Sequence, residues 1–188
     1  AAVDKSNGIR SQAMTWAEAL RWKGHQVDYI NPWEHYDWLS YDAIHFFGSG
    51  PWASTTRTYV RIKNPKCVFS PIYDPTPFHE TASQYWQKKL SKLTYGKYSC
   101  AVYAVANEYK NYSRILVRTN YEREKIHELF DVPDNLIIKV PLSFSHNLNP
   151  DDCLPAKEPF VFHMSLFTQP RKNVVRLVKA AKKYGFKL

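Results

Sequence analysis

The chain has 188 residues, 44% hydrophobic and 15% aromatic content, and a formal net charge of +9. So much apolar chain can bury a core, and the length allows one domain, or one domain plus part of another; the second is expected. The positive charge points to an anionic partner such as a ligand phosphate, a lipid headgroup surface or nucleic acid, or else to a merely soluble basic surface.

In chain order, Met14, Trp16, Ala17 and Leu20 recur at helical spacing, which predicts a helix over 11–23 with Gly24 as its stop. A short strand is predicted over 27–30, and two further apolar runs, 43–47 and 66–70, are short enough for strands. Between them, 54–63 reads as a helix. Helices are expected over 81–93 and 100–111, and a strand over 115–118. Asn120 is the expected cap of a helix reaching Phe130, and a strand follows over 136–140. Residues 143–159 are rich in Asn, Asp and Pro without periodicity, which marks a linker with a boundary near Pro150. Beyond it, 160–188 reads as a buried strand, a loop and a helix opening on Arg171-Lys172-Asn173.

Strands alternating with helices at these lengths predict an α/β fold, a Rossmann-like parallel sheet with helices on both faces. The expected domains are 1–150 and the opening strand-helix unit of a second, 151–188, left incomplete. An initial strand is expected upstream of Ala1, because the first nine residues hold little apolar sequence.

Ligands of open α/β sheets bind beyond the carboxyl ends of the strands, so the residues after each strand are the candidates. Asn7-Gly8-Ile9 precedes a helix, where a glycine lets backbone amides approach an anion; an ordinary turn explains it as well. His45, followed by Phe46-Phe47-Gly48-Ser49-Gly50, puts an imidazole at the sheet edge, or is a satisfied core side chain. Tyr73 and Asp74 offer a phenol and a carboxylate for acid-base or hydroxyl-binding work, although Asp-Pro is also a turn signal. Gln169-Pro170-Arg171-Lys172-Asn173 is the strongest candidate. Its two cations and the amides of the following helix suit a phosphate.

The segment 85–98 interleaves Lys88, Lys89, Lys92 and Lys97 with Tyr85, Trp86, Tyr95 and Tyr98. This composition suits an anionic membrane surface, but the favoured expectation turns the aromatics to the core and the lysines to water. Cys67, Cys100 and Cys153 are too scattered for a disulfide framework or a zinc site, and a reducing compartment fits. No apolar run approaches the ~20 residues that span a bilayer, and no leader peptide is recognisable. A cytoplasmic protein, at most peripheral at the inner membrane face, is therefore expected.

Several segments line up in order with one pattern. NGIRSQAMTWAEALRWKGHQVDYINP resembles the first loop, helix and Gly-His-x-Val strand of the family 4 glycosyltransferases, retaining enzymes of the two-Rossmann-domain GT-B type. YDAIHFFG is similar to their Asp-hydrophobic-hydrophobic-His strand end. RILVRTNYEREKIHELFDVPDNLIIKVPLSF resembles their late amino-domain strand, helix and strand, and FVFHMSLFTQPRKNVVRLVKAAKKYG the start of their carboxyl domain.

The resemblance implies an acceptor-side amino domain and a carboxyl domain for a nucleotide-diphosphate sugar, which is a substrate; no cofactor and no metal are implied. Lys172 matches the lysine that binds the donor diphosphate. The companion arginine falls at Leu166, with Ser165 for its glycine, a departure that weakens donor phosphate binding or shifts that work to Arg171. The site of a histidine at the donor sugar is taken by Tyr73, followed by Asp74. Ser143-Phe144-Ser145-His146 replaces a glycine-aspartate linker feature, and the paired glutamates that grip the donor lie beyond these residues. The implied acceptor is a carbohydrate or lipid-linked molecule, with an anionic membrane surface as a further candidate partner. Nucleic acid is not expected, since only charge supports it. Two rival readings are a non-catalytic basic module for anionic lipid or polyanion, and a sugar-nucleotide epimerase of the same architecture.

Overall fold

A computed structural model describes residues 8–31, 33–50, 53–73, 78–98, 100–142, 159–164 and 172–188. The chain divides into two compact units, Ala1–Ser145 and His146–Leu188.

The first unit is α/β. Its elements are α1 (Gly8–Trp22), β1 (Ile44–Phe47), α2 (Ser54–Lys63), β2 (Cys67–Ser70), α3 (Phe78–Leu93), α4 (Ala101–Tyr109), β3 (Arg114–Val117), α5 (Asn120–Phe130) and β4 (Ile137–Lys139). The four strands form one parallel sheet in the order β1-β2-β3-β4. Register places Phe69 between Phe46 of β1 and Ile115 of β3, and Ile115 beside Ile137 of β4.

Side chains alternate across a strand, so Ile44, Cys67, Phe69, Ile115, Val117 and Ile137 share one face. All six are buried, and they meet Val60 of α2, Val102, Ala106 and Tyr109 of α4, and Ile126, Leu129 and Phe130 of α5. Successive strands are neighbours, and crossovers of one hand put their helices on the same side. Phe69 anchors this core. It stacks on Tyr112 at 4.7 Å and meets Tyr109 edge-on at 5.1 Å, contacts each worth about 0.5–1.5 kcal/mol beyond the area they bury.

His45, Phe47, Val68, Ser70 and Leu116 point to the opposite face. Trp16 of α1 covers its β1 side, 5.6 Å from the His45 ring and 5.7 Å from Phe47. Helices thus flank the sheet on both sides, as the sequence predicts, but one face is packed more completely. Val68 and Leu116 are half-buried and Ile138 is exposed.

Three sequence expectations need correction. Residues 27–30 belong to no strand. Their backbone is engaged by side chains instead: Arg21 donates to the Val27 carbonyl, and Tyr36 Oη donates to Tyr29 O at 3.3 Å. With Tyr29 and Ile30 exposed, the segment has no apolar face to bury in a sheet. The α5 cap is Thr119 rather than Asn120; its backbone is extended and its hydroxyl accepts the Glu122 N–H at 3.1 Å. Asn120 is already helical, and the Thr-x-x-Glu spacing is that of a capping box.

The third correction concerns the second unit. Phe160 forms a single parallel bridge with Lys187, and Phe162 is 75% exposed. A buried strand needs ladder partners and a layer above it; the described residues of this unit supply one bridge. The helix is as expected: α6 spans Val174–Tyr184 and stops at Gly185, whose φ of 69° suits glycine.

Candidate functional site at the carboxyl edge of the sheet

Two loops at the carboxyl ends of β1 and β2 are held in shape by buried arginine–carboxylate networks. The first is Gly48-Ser49-Gly50. Gly48 has a φ of 83°, which a side chain tolerates poorly, and a Cβ there would stand 3.4 Å from Ile9 Cδ1. Ile9 at the start of α1 therefore lies against this turn.

Arg57, in the first half of α2, is the hub of the first network. Its Nη1 donates to Gly50 O at 3.0 Å and to Gly48 O at 3.4 Å. Its Nε and Nη2 donate to Glu108 Oε1 at 2.6 Å and Oε2 at 3.2 Å, a two-pronged pairing that lysine cannot make. Tyr112 Oη donates to Oε1 at 2.8 Å, and Ser54 Oγ to Oε2 at 3.1 Å. Burial by itself raises a carboxyl pKa. Here hydrogen bonds from Arg57 and Tyr112, with the Arg57 charge, outweigh that effect and hold Glu108 below its ordinary value. Burial, followed by the Glu108 charge, pushes the Tyr112 phenol up, so it stays protonated and donating.

The second loop is Pro71-Ile72-Tyr73. Ile72 adopts φ 55°, the left-handed region in which a β-branched residue is strained. Such a conformation costs about 1–3 kcal/mol and persists only where the surroundings impose it. Glu122 imposes it here: Oε1 accepts the Tyr73 N–H at 2.5 Å, and Oε2 accepts the Arg118 N–H at 2.7 Å and Nε at 3.2 Å. Arg118 Nη2 completes the clamp by donating to Tyr73 O at 3.3 Å. Glu122 is buried although it belongs to the first turn of α5. A carboxylate also suits the positive end of a helix.

His45 lies inside β1 as its second residue, rather than in the loop after it. The run continues because Phe46 and Phe47 still pair with Phe69 and Ser70. The imidazole packs on Phe47 at 4.0 Å, and its Nε2 is 2.9 Å from Ser70 Oγ. Burial pulls its pKa down to about 4, so the ring is neutral at pH 7. It ties the ends of β1 and β2 together, alongside a Gly48 N–H to Ser70 O bond of 2.8 Å.

The other candidates separate. Tyr73 turns its ring to Phe130, 5.7 Å away on the α5 side, whereas His45 faces α1. The two side chains therefore do not converge, although their backbones lie on neighbouring strands. Gly8 is the first residue of α1, and a Cβ there would meet nothing within 4 Å, so close backbone approach does not require the glycine. Lys172 is exposed in the second unit. Asn173 caps α6 with a left-handed backbone, φ 54°, and no side-chain cap bond. Asn7, Asp74 and Arg171 lie outside the described residues, as do Ser143-Phe144-Ser145-His146, Ser165 and Leu166.

Sequence reasoning missed Arg57, Glu108, Arg118 and Glu122. Thr119-x-x-Glu122 carried a local signal, the capping box, but its second partner, Tyr73, is distant in sequence. Arg57 and Glu108 meet only through the fold. No helix among the described residues is long and apolar enough to cross a membrane. Neither a family model, a curated protein nor a solved structure matches this chain.

Proposed function

We propose that this chain is the acceptor-side domain, with the first unit of a donor-binding domain, of a retaining glycosyltransferase of the GT-B type, placed in family 4 by its sequence resemblance. The reaction moves a sugar from a nucleotide-diphosphate donor to a carbohydrate or lipid-linked acceptor. The supporting observation is the carboxyl edge of the parallel sheet, where two loops are shaped by buried arginine–carboxylate networks and one carries backbone strain at Ile72. Strain of this kind is concentrated at ligand-binding sites, and loops fixed in advance lower the entropy cost of orienting an acceptor hydroxyl.

In this reading the Gly48–Gly50 and Ile72–Tyr73 loops position the acceptor. His45 supports the first loop from within β1 as a neutral hydrogen-bonding group, and Tyr73 contributes chiefly its backbone. Arg171, Lys172 and the first amides of α6 neutralise the departing diphosphate, which is electrostatic stabilisation of the leaving group. Residues that would grip the donor base and sugar are not assigned within this chain.

The test is acceptor-dependent release of nucleoside diphosphate by the polypeptide that carries this chain, across a panel of nucleotide-diphosphate sugars, with the anomeric configuration of the product read by NMR. Transfer with retention is expected, and Lys172→Ala should weaken donor affinity and turnover. Interconversion of the sugar with donor alone would instead identify an epimerase. An absence of turnover together with steeply salt-dependent polyanion binding would favour the non-catalytic basic module.

A further inference from the structure

The second half of helix α3 turns polar side chains inward and an apolar stripe outward. A globular-protein helix turns its apolar stripe to the core and its charges to water. Among the positions of α3 whose side chains are described, 82–93, the buried ones are Lys88 and Ser91, while Trp86 is 63% exposed and Leu93 69% exposed. Trp86, Leu90 and Leu93 follow i, i+4, i+7 spacing and form one outward stripe, flanked by exposed Tyr85 and Lys89. The aromatics and Lys88 thus lie opposite to the orientation favoured from sequence, whereas Lys89, Lys92 and Lys97 face water as it expects.

The inward polar groups are satisfied. Lys88 Nζ donates to Glu128 O at 3.1 Å and pairs with Asp131 Oδ1 at 3.0 Å, and Lys92 also pairs with Asp131. Ser91 Oγ donates to Tyr98 O at 2.5 Å. Polar groups therefore fasten α3 to α5 and to its own C-terminal turn, and the apolar stripe is left for another surface. A second observation lies in that turn. Tyr95 has φ 51° and its ring is 93% exposed, so a strained backbone presents a large aromatic group to solvent without packing in return.

We infer that this face of α3, with the turn after it, docks on an anionic membrane surface. Trp and Tyr beside Lys, with apolar side chains between, are the chemistry of the interfacial layer, where amphipathic rings sit at headgroup level and lysine stems reach toward phosphate. Residues 81–107 contain no Asp or Glu. Lys89 is exposed with its ammonium 5.1 Å from the Trp86 ring centre, and Lys97 is exposed in the turn that follows the helix. Each lysine near such a surface is worth about a fivefold change in binding. A symmetric pairing of two copies through this patch would set lysine against lysine, and so is disfavoured. The inference does not depend on the transferase reading, since it concerns attachment and not turnover.

Co-sedimentation with phosphatidylcholine vesicles, with and without phosphatidylglycerol, tests it. Binding is expected only to the phosphatidylglycerol vesicles and should weaken as salt is raised. Trp86→Ser with Leu93→Ser should reduce it at least tenfold at unchanged thermal stability, because both side chains are exposed. Trp33→Ser, a change at an exposed tryptophan outside α3, should leave it intact. The inference is overturned if phosphatidylglycerol vesicles do not bind the protein, or if the double variant binds as well as the wild type. It is equally overturned if light scattering shows a dimer that the double variant abolishes while vesicles stay unbound. Vesicle binding without sugar transfer would sustain this inference while the transferase reading fails.

Discussion

The loops after β1 and β2 are both fixed by an arginine and a buried carboxylate, but the roles are exchanged. In the first, Arg57 is the hub and holds Gly48 and Gly50 by their carbonyls; in the second, Glu122 is the hub and holds Tyr73 by its N–H. The first loop has glycines, which adopt their turn at little steric cost. The second has Ile72 in a conformation that its own chemistry opposes. The glycine loop needs its network mainly to settle the charges it buries, whereas the Ile72 loop depends on its network for its shape.

The largest way to break this comparison is Glu108→Ala. It strands the buried Arg57 guanidinium, and a loss of about 3–5 kcal/mol in urea unfolding is expected. Joint replacement of Arg57 and Glu108 by Met and Leu should recover much of it, because a buried ion pair contributes little net stability over a well-packed apolar pair. Glu122→Ala removes the acceptor of two backbone N–H groups, and about 1–3 kcal/mol should be lost. Amide exchange at Tyr73 should then rise more than exchange at Gly50.

Two smaller substitutions sharpen the contrast between the loops themselves. Gly48→Ala imposes a side chain on a left-handed backbone and should cost about 1–2 kcal/mol. At Ile72 the sign reverses: Ile72→Asn, a residue that tolerates this region, should leave thermal stability equal or higher by up to ~1 kcal/mol. If both changes destabilise equally, the strain assigned to Ile72 is wrong.

The last handle is pH, through the largely buried imidazole. His45 is lowered from 6.5 to about 4 in the fold, so the unfolded chain takes up this proton first. Its contribution is whole above pH 6.5 and is lost as pH falls from 6.5 to about 4. Glu108 and Asp131 are held below their ordinary values and act at lower pH, being lost only as pH falls through those depressed values. His45→Gln, which can keep a bond to Ser70, should flatten the upper window of a urea-midpoint profile and leave the lower one.

Local pattern carried the fold well where side chains had one plausible environment. The apolar runs that became β1 to β4 and the 54–63 helix are legible because a buried parallel strand is a short continuous apolar stretch and α2 is bounded by Gly-Pro and Asn-Pro sequences. The 27–30 and 160–164 segments have similar composition, yet among the described residues neither joins a strand ladder, and Phe160 makes a single bridge; composition records apolarity and not the presence of a partner. Orientation was the harder property. In α3, lysine is counted as a surface residue by type, and only the position of Asp131 at the end of α5 turns Lys88 inward. His45 and Tyr73 were readable as residues near strand ends, but the face each side chain takes depends on strand parity and on the hold of Glu122, and a one-residue shift in the strand end moves an imidazole from loop to sheet.

The most direct test of the central claim, that the clamped carboxyl edge is the acceptor surface of a sugar transferase, is acceptor-dependent release of nucleoside diphosphate by the polypeptide carrying this chain, wild type against Glu122→Ala. The account predicts turnover in the wild type and at least a tenfold lower kcat/KM for acceptor in the variant, with donor KM little changed. Unchanged acceptor kinetics in a folded variant, or a wild type that releases no nucleotide with any donor and acceptor, would contradict it.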